Sequence, residues 1–208
     1  MRFCVSVLTA SALVIASASA QSLREIARQH GGNVSNIMDI DCGIASTAEL
    51  MAQSDLVLRG TITSSKSHLK SDETSVVTDY VVEPVKVFKQ RQVASVARPG
   101  EVAQIIARRP GGKVMDGSLS LSTSVDAYPE AESFKRGEDV IVFLVYDSVA
   151  RVYHFTGGPF GVFRIASRHV HPMTHEVATR RGDQPIDLAA FLSRVEREAS
   201  MRPAAPRK

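Results

Sequence analysis

Asp139-Val140-Ile141-Val142-Phe143-Leu144-Val145-Tyr146-Asp147 is the stretch on which the fold turns. Val140 to Tyr146 is the longest unbroken apolar run outside the N-terminus, and an aspartate closes each end. A run this short and this rich in β-branched residues predicts a strand buried on both faces, because a half-exposed strand alternates. Phe134-Lys135-Arg136-Gly137-Glu138 leads into it. The segments around it mostly alternate, which predicts sheet wrapped around a central strand.

Leu56–Thr63 reads as the first strand, with Gly60 a bulge or bend. Ser64–Thr74 follows as a polar loop. Ser75–Lys89 is predicted as a long second strand bent at Pro84, which cannot donate to a ladder. Val102–Arg108 is the third, ended by Pro110-Gly111-Gly112, and Leu119–Val125 is a half-exposed fourth in which serines alternate with larger residues. After the central strand come Val152–Phe155 and, past Gly157-Gly158-Pro159, Phe160–Ile165. Short strands at turn-punctuated intervals predict a mainly β protein built on a small antiparallel barrel. Two capping boxes, Ser22 with Glu25 and Ser46 with Glu49, open short flanking helices, the second with Ala48, Met51 and Ala52 as its packing stripe. Beyond Ser167 lies a His- and Arg-rich loop. Asp187 then caps a C-terminal helix with Leu188, Phe191, Leu192, Val195 and Ala199 on one face. The expected organisation is an extension over 21–41, a barrel domain over 42–167, a loop and helix over 168–201, and a disordered tail over 202–208.

Residues 1–20 have the form of a secretory signal: Arg2, a mainly apolar Phe3–Ala16, and the small-residue site Ala18-Ser19-Ala20. The expected mature chain begins at Gln21 and is exported, to the periplasm or beyond. The apolar part is short for a span of roughly 20 residues, and no later stretch suits one. Cleavage discards Cys4 and leaves Cys42 as a lone thiol. Its neighbours Ile40, Ile44 and Ala45 favour a buried thiol over an intermolecular bridge, and either excludes a disulfide scaffold. The formal net charge is +3, with basic residues interleaved among acids, so composition implies no polyanion partner. There is no Trp and only 6% aromatic residues, which argues against an extensive stacking surface and against nucleic acid as the partner.

The order of landmarks resembles a family of uncharacterised exported bacterial proteins with a domain similar to the netrin/tissue-inhibitor-of-metalloproteinases module. The matching pieces are Ala52-Gln53-Ser54-Asp55 with Leu56–Ile62, Val85–Lys89, Gly111-Gly112, Phe134 with Gly137-Glu138, Val142-Phe143-Leu144, and Gly157-Gly158 with Phe160–Phe163. The resemblance spans about Cys42 to Ile165 and implies a barrel of the oligonucleotide/oligosaccharide-binding (OB) type. Members of the inhibitor family chelate a protease zinc through an N-terminal Cys. Here Cys42 lies well inside the mature chain and the family's disulfides are absent, so no inhibitory residue is carried over.

His169-Val170-His171-Pro172-Met173-Thr174-His175 is the sharpest candidate for chemistry. In an extended chain His169 and His171 point the same way, and His175 can return after Pro172, leaving an open position on a tetrahedral zinc or copper. Against this, three histidines in a loop also arise by composition, and only Glu176 stands ready to orient them. His175-Glu176-Val177-Ala178-Thr179 lacks the second His of the zinc-protease helix motif. No nucleophile elbow, phosphate loop or paired-Cys motif is present. His154 reads as a structural residue within a strand, and His30 and His68 as solvent-facing. Arg108-Arg109 beside Lys113 reads as a basic rim. The expectation is an exported, non-enzymatic module binding a protein or other envelope macromolecule through Ser64–Thr74, Tyr128–Phe134 and Arg168–Gln184. The alternative is a metal-binding protein or metal-dependent enzyme using His169, His171 and His175.

Overall fold

A computed structural model describes residues 21–38, 46–91, 104–125, 133–172 and 186–201. The chain is mainly β: among the described residues, eleven strands lie in two sheets, flanked by short helices and one longer C-terminal helix. The strands are β1 (Asn33–Met38), β2 (Leu56–Leu69), β3 (Val76–Gln90), β4 (Ile105–Pro110), β5 (Gly112–Asp116), β6 (Leu119–Val125), β7 (Asp139–Asp147), β8 (Val152–Phe155), β9 (Val162–Ala166), β10 (His169–Pro172) and β11 (Ile186–Asp187). The helices are α1 (Leu23–Gln29), α2 (Thr47–Gln53) and α3 (Leu188–Met201). The readings that concern residues 1–20, Cys42, His175 and the tail from 202 fall outside the described residues.

β7 is the apolar run, and both its faces are dry. Val140, Val142 and Leu144 enter one core with Leu58, Ile62, Tyr80 and Phe155. Ile141 and Phe143 enter a second with Leu50 and Met51 of α2, Phe163, Val170, and Phe191 and Val195 of α3. All five β7 residues are 0% exposed. Its edges are occupied too. β2 runs along one edge, from Leu56↔Leu144 to Thr61↔Asp139. The other is shared, with β9 opposite Asp139–Val142 and β8 opposite Leu144–Asp147.

The sheet therefore forks at β7. One branch leads outward through β9, β10 and β11, and α3 packs over it. The other curls through β2, β3, β4 and β8 back to β7, antiparallel at every step except β4–β8, which is parallel. That last seam holds only Ala107↔Tyr153 and Arg108↔His154, so the barrel ring is partial. The long β2–β3 hairpin bends through three register shifts, one of them at Arg59/Gly60. A Cβ on Gly60 would stand 2.6 Å from the Glu83 carbonyl oxygen, so only glycine fits where the strands close up.

Several segments differ from the sequence reading. Ser64–Leu69 is not loop but the far half of β2, paired with Val76–Val81. Pro110-Gly111-Gly112 does end β4, as read, but the chain then continues directly into β5, a strand of the other sheet that the sequence reading lacked. Asn33–Met38, read within an extension, is β1 and pairs in parallel with β6, completing a three-stranded sheet of order β1-β6-β5. His169–Pro172 is strand β10, held by the fully buried Val170. In α2 the buried side is Thr47, Leu50 and Met51 rather than a stripe through Ala48 and Ala52. In the strand segments the local signals were largely polar, and pairing with a partner strand, adjacent in sequence for Ser64–Leu69 and His169–Pro172 and remote for Asn33–Met38, overrode them.

A polar latch joins α2 to the barrel. Asp55, 1% exposed, donates its backbone N–H to Leu144 O at 2.8 Å and accepts from Tyr146 N at 3.0 Å, with Arg91 Nη1 3.4 Å from its carboxylate. Ser54 Oγ lies 2.9 Å from Thr156 Oγ1, and the Thr156 N–H donates to Phe143 O at 2.8 Å. No helix among the described residues is long and apolar enough to cross a membrane.

Val142→Asp is expected to abolish soluble folding, because an unpaired buried carboxylate costs several kcal/mol against a total stability of about 5–15 kcal/mol. Circular dichroism melting checks this; a wild-type melt would show that β7 is not the central strand.

Candidate functional site

At the open end of the barrel the inward faces of β2, β3 and β4 change character. Deep in the ring they carry Ile62, Tyr80, Val82 and Ala107. Towards the hairpin tip they carry Ser65, Ser67, Thr78 and Arg109, and the β1-β6-β5 sheet lies across them. Between the two sheets is a cleft of about 630 Å³. Six serines line it (Ser35, Ser65, Ser67, Ser122, Ser124 and Ser133), together with Thr78, Thr123, Arg109 and Lys113. Among the described residues, none that lines it bears a carboxylate. Tyr80 and Phe134 meet edge to face at its floor, with ring centroids 5.0 Å apart.

The turn from β4 into β5 builds this wall. Gly111 and Gly112 both adopt positive φ, +95° and +137°. A Cβ on Gly112 would lie 2.4 Å from Thr78 Oγ1 and 2.7 Å from Ser67 Oγ, so glycine lets the small sheet close on the hairpin. The hydroxyls fasten the contact. Thr78 Oγ1 donates to Gly111 O at 2.7 Å and lies 2.9 Å from Ser67 Oγ, while Val76 N donates to Thr123 Oγ1 at 2.8 Å. On the β1 side, Ser122 and Ser124 donate to Val34 O and Asn36 O at 3.3 and 3.4 Å. The Arg109 guanidinium lies 5.9 Å from the Tyr80 ring centroid, a cation–π distance. Burial pushes the Tyr80 phenol above its usual range, and the Arg109 charge pulls against that.

Arg108 and Arg109 are neighbours on one strand and so face opposite sides. On the outer face, Arg108 clamps Asp79 with Nε to Oδ1 at 2.6 Å and Nη2 to Oδ2 at 2.8 Å. Its Nη2 also lies 3.3 Å from His68 Nε2, which makes His68 a half-buried partner rather than a solvent-facing residue. His154 on β8 stands 3.5 Å from Asp147. The basic rim is therefore divided: Arg108 is engaged outside, and Arg109 and Lys113 line the cleft.

His169 and His171 share the outward face of β10, opposite Ala166 and Arg164 of β9. His175 lies outside the described residues, and among those described no three His, Cys, Asp or Glu groups converge as a metal set. Asp187, opposite His169 across β10–β11, is committed to capping α3 through Ala190 N at 3.0 Å. The cleft was missed at the sequence level because serines on alternating strand positions carry no motif. The one available signal was the serine alternation of Leu119–Val125, read as a half-exposed strand.

No protein-family model matches this sequence, and no curated protein matches it either.

Burial lowers the His154 imidazole below its usual range; Arg108 reinforces this, and Asp147 and Asp79 oppose it. A group with a depressed folded pKa binds protons more readily unfolded, so stability falls as pH drops through the ordinary imidazole value of about 6.5. Urea midpoints measured from pH 7.5 to 5 should decline for the wild type and decline less for His154→Gln. Parallel curves would remove His154 as the cause.

Proposed function

We propose that the chain is an exported, non-catalytic binding module whose OB-type barrel takes up part of an envelope macromolecule in the cleft between the two sheets. The observation that carries this reading is the cleft itself. It is a preformed concavity of ordinary ligand-site size, with convergent polar groups at the mouth of a β-barrel. The strand order around the ring, with one parallel step between β4 and β8, supports the OB-type reading and, through it, the resemblance to the netrin/inhibitor module. Ser65, Ser67, Ser133 and Phe134 belong to two of the three segments expected to make contact, and all four line the cleft.

A second reading, a metal carrier built on His169, His171 and His175, draws support from the common face of the first two. Elemental analysis of untagged protein separates it, since stoichiometric zinc or copper favours the carrier. The cleft reading is checked by an NMR screen of small polar fragments against the whole mature chain. Perturbed amides should cluster at 65–67, 109–113 and 122–125. Perturbations gathered at β9–β10, or none in the cleft, would overturn it.

A further inference from the structure

One edge of β1 is open. Ser120 N donates to Gly32 O at 2.8 Å, and the Ser122 and Ser124 hydroxyls of β6 donate to Val34 O and Asn36 O at 3.3 and 3.4 Å. Gly32, Val34 and Asn36 therefore turn their backbone groups to β6, and in an extended strand the residues between them turn the other way. Asn33, Ser35 and Ile37 thus present N–H and C=O groups outward, where no strand among the described residues meets them. Their side chains are exposed as well, Ile37 at 69%. The rest of the fold does not crowd this edge. The β2–β3 hairpin is fastened to the small sheet through Gly111 and Thr123, and α1 packs Leu23 and Ala27 against the face of Val34 and Leu121.

Proteins guard an open edge with lysine, proline, a bulge or extreme shortness. The far half of β3 carries Pro84 and Lys86, β5 carries Lys113, and β11 is two residues long. β1 has none of these guards. Asn33-Val34-Ser35-Asn36-Ile37-Met38 is six residues long, uncharged, free of proline, and in continuous register with β6. The lack of charge also says what fits. In a two-fold contact a strand meets itself, so any charge on it is brought close to its like. An uncharged strand pairs with its own copy without that cost. The register is then constrained, because outward-bonding residues must meet each other and opposed side chains must share a face. With the axis at Ser35, Ser35 opposes Ser35 and Asn33 opposes Ile37, which uses all three outward residues of each copy.

We infer that β1 pairs antiparallel with β1 of a second copy of this chain about a two-fold axis at Ser35, joining the two small sheets into one continuous sheet. The contact is closed, since each copy occupies the unguarded edge of the other and leaves none for a third. Ser35 also lines the cleft, so the clefts of the two copies lie on either side of the axis. The pairing stands or falls independently of what the cleft binds.

The test follows association of the mature chain by analytical ultracentrifugation over a dilution series, with amide exchange read at its two ends. A dimer is expected. The Ser35 and Ile37 amides should be protected at high concentration and released on dilution, while Val34 and Asn36, bonded to β6, stay protected throughout. Ser35→Pro removes an outward donor and leaves the β6 ladder intact, and Ser35→Lys sets two lysines opposite each other. Each should weaken association about tenfold or more with an unchanged circular dichroism spectrum, and the lysine variant serves if the proline variant fails to fold. On a Cys42→Ala background, Ser35→Cys should yield a disulfide-linked dimer on mild oxidation.

A chain that stays monomeric throughout the series would overturn the inference. So would a dimer indifferent to both Ser35 substitutions, with the Ser35 and Ile37 amides unprotected. Linkage through Ile37→Cys in place of Ser35→Cys would overturn the pairing about Ser35.

Discussion

Water is excluded from both faces of β7, and the other elements are arranged to keep it out. A strand with one wet face needs a single layer of cover. Val140, Val142 and Leu144 demand a barrel on one side, while Ile141 and Phe143 demand a helical layer on the other. The two demands also explain the fork. One edge of β7 serves two strands because its first half belongs to the outer sheet and its second half to the ring. The Asp55 latch sits where these layers meet and ties α2, β7 and the end of β3 together through hydrogen bonds that apolar contact does not specify.

Moving along the β2–β3 hairpin away from β7, the need for dryness fades and the chemistry changes with it. Near β7 the inward positions are Leu58 and Ile62; at the far end they are Ser65 and Ser67. The small sheet that covers this end has its own modest core, Leu23 and Ala27 of α1 with Val76 and Leu121, and it touches the barrel largely through hydroxyls and glycines. A cleft between two sheets joined in this way is polar by construction. Hydrogen bonds from Thr78 to Gly111 and from Val76 to Thr123 hold the small sheet against the hairpin.

The parts of the fold legible in the sequence were those with strong local signals. The run Val140–Tyr146 announced a doubly buried strand, the capping boxes at Ser22 and Ser46 announced helices, and the face through Phe191 and Val195 announced the docked C-terminal helix. What escaped was written in partners rather than in runs. Asn33-Val34-Ser35-Asn36-Ile37-Met38 is a strand because β6 lies beside it, and Ser64–Leu69 is a strand because β3 does. The cleft escaped for the same reason: its serines come from β1, β2, β6 and the segment before β7, and only the tertiary structure brings them together. Arg108-Arg109 beside Lys113 was read as one basic rim; the strand sets the two arginines on opposite faces, and the partner of Arg108 is Asp79, a residue of another strand.

The parallel pairing of β1 with β6 has a bearing on how the chain assembles. Val34 sits beside Leu121 and Met38 beside Val125, so β1, the first strand among the described residues, gains its neighbour only after β2 to β5 have been made. Closing so long a loop is entropically late. In the interval the segment is an orphan sheet edge, the kind of surface that recruits other chains. Its polar Asn33, Ser35 and Asn36 interrupt the apolar residues and in the meantime lower its tendency to pair with other chains. The stretch read only as part of an extension is thus placed in the fold by a strand made much later in the chain.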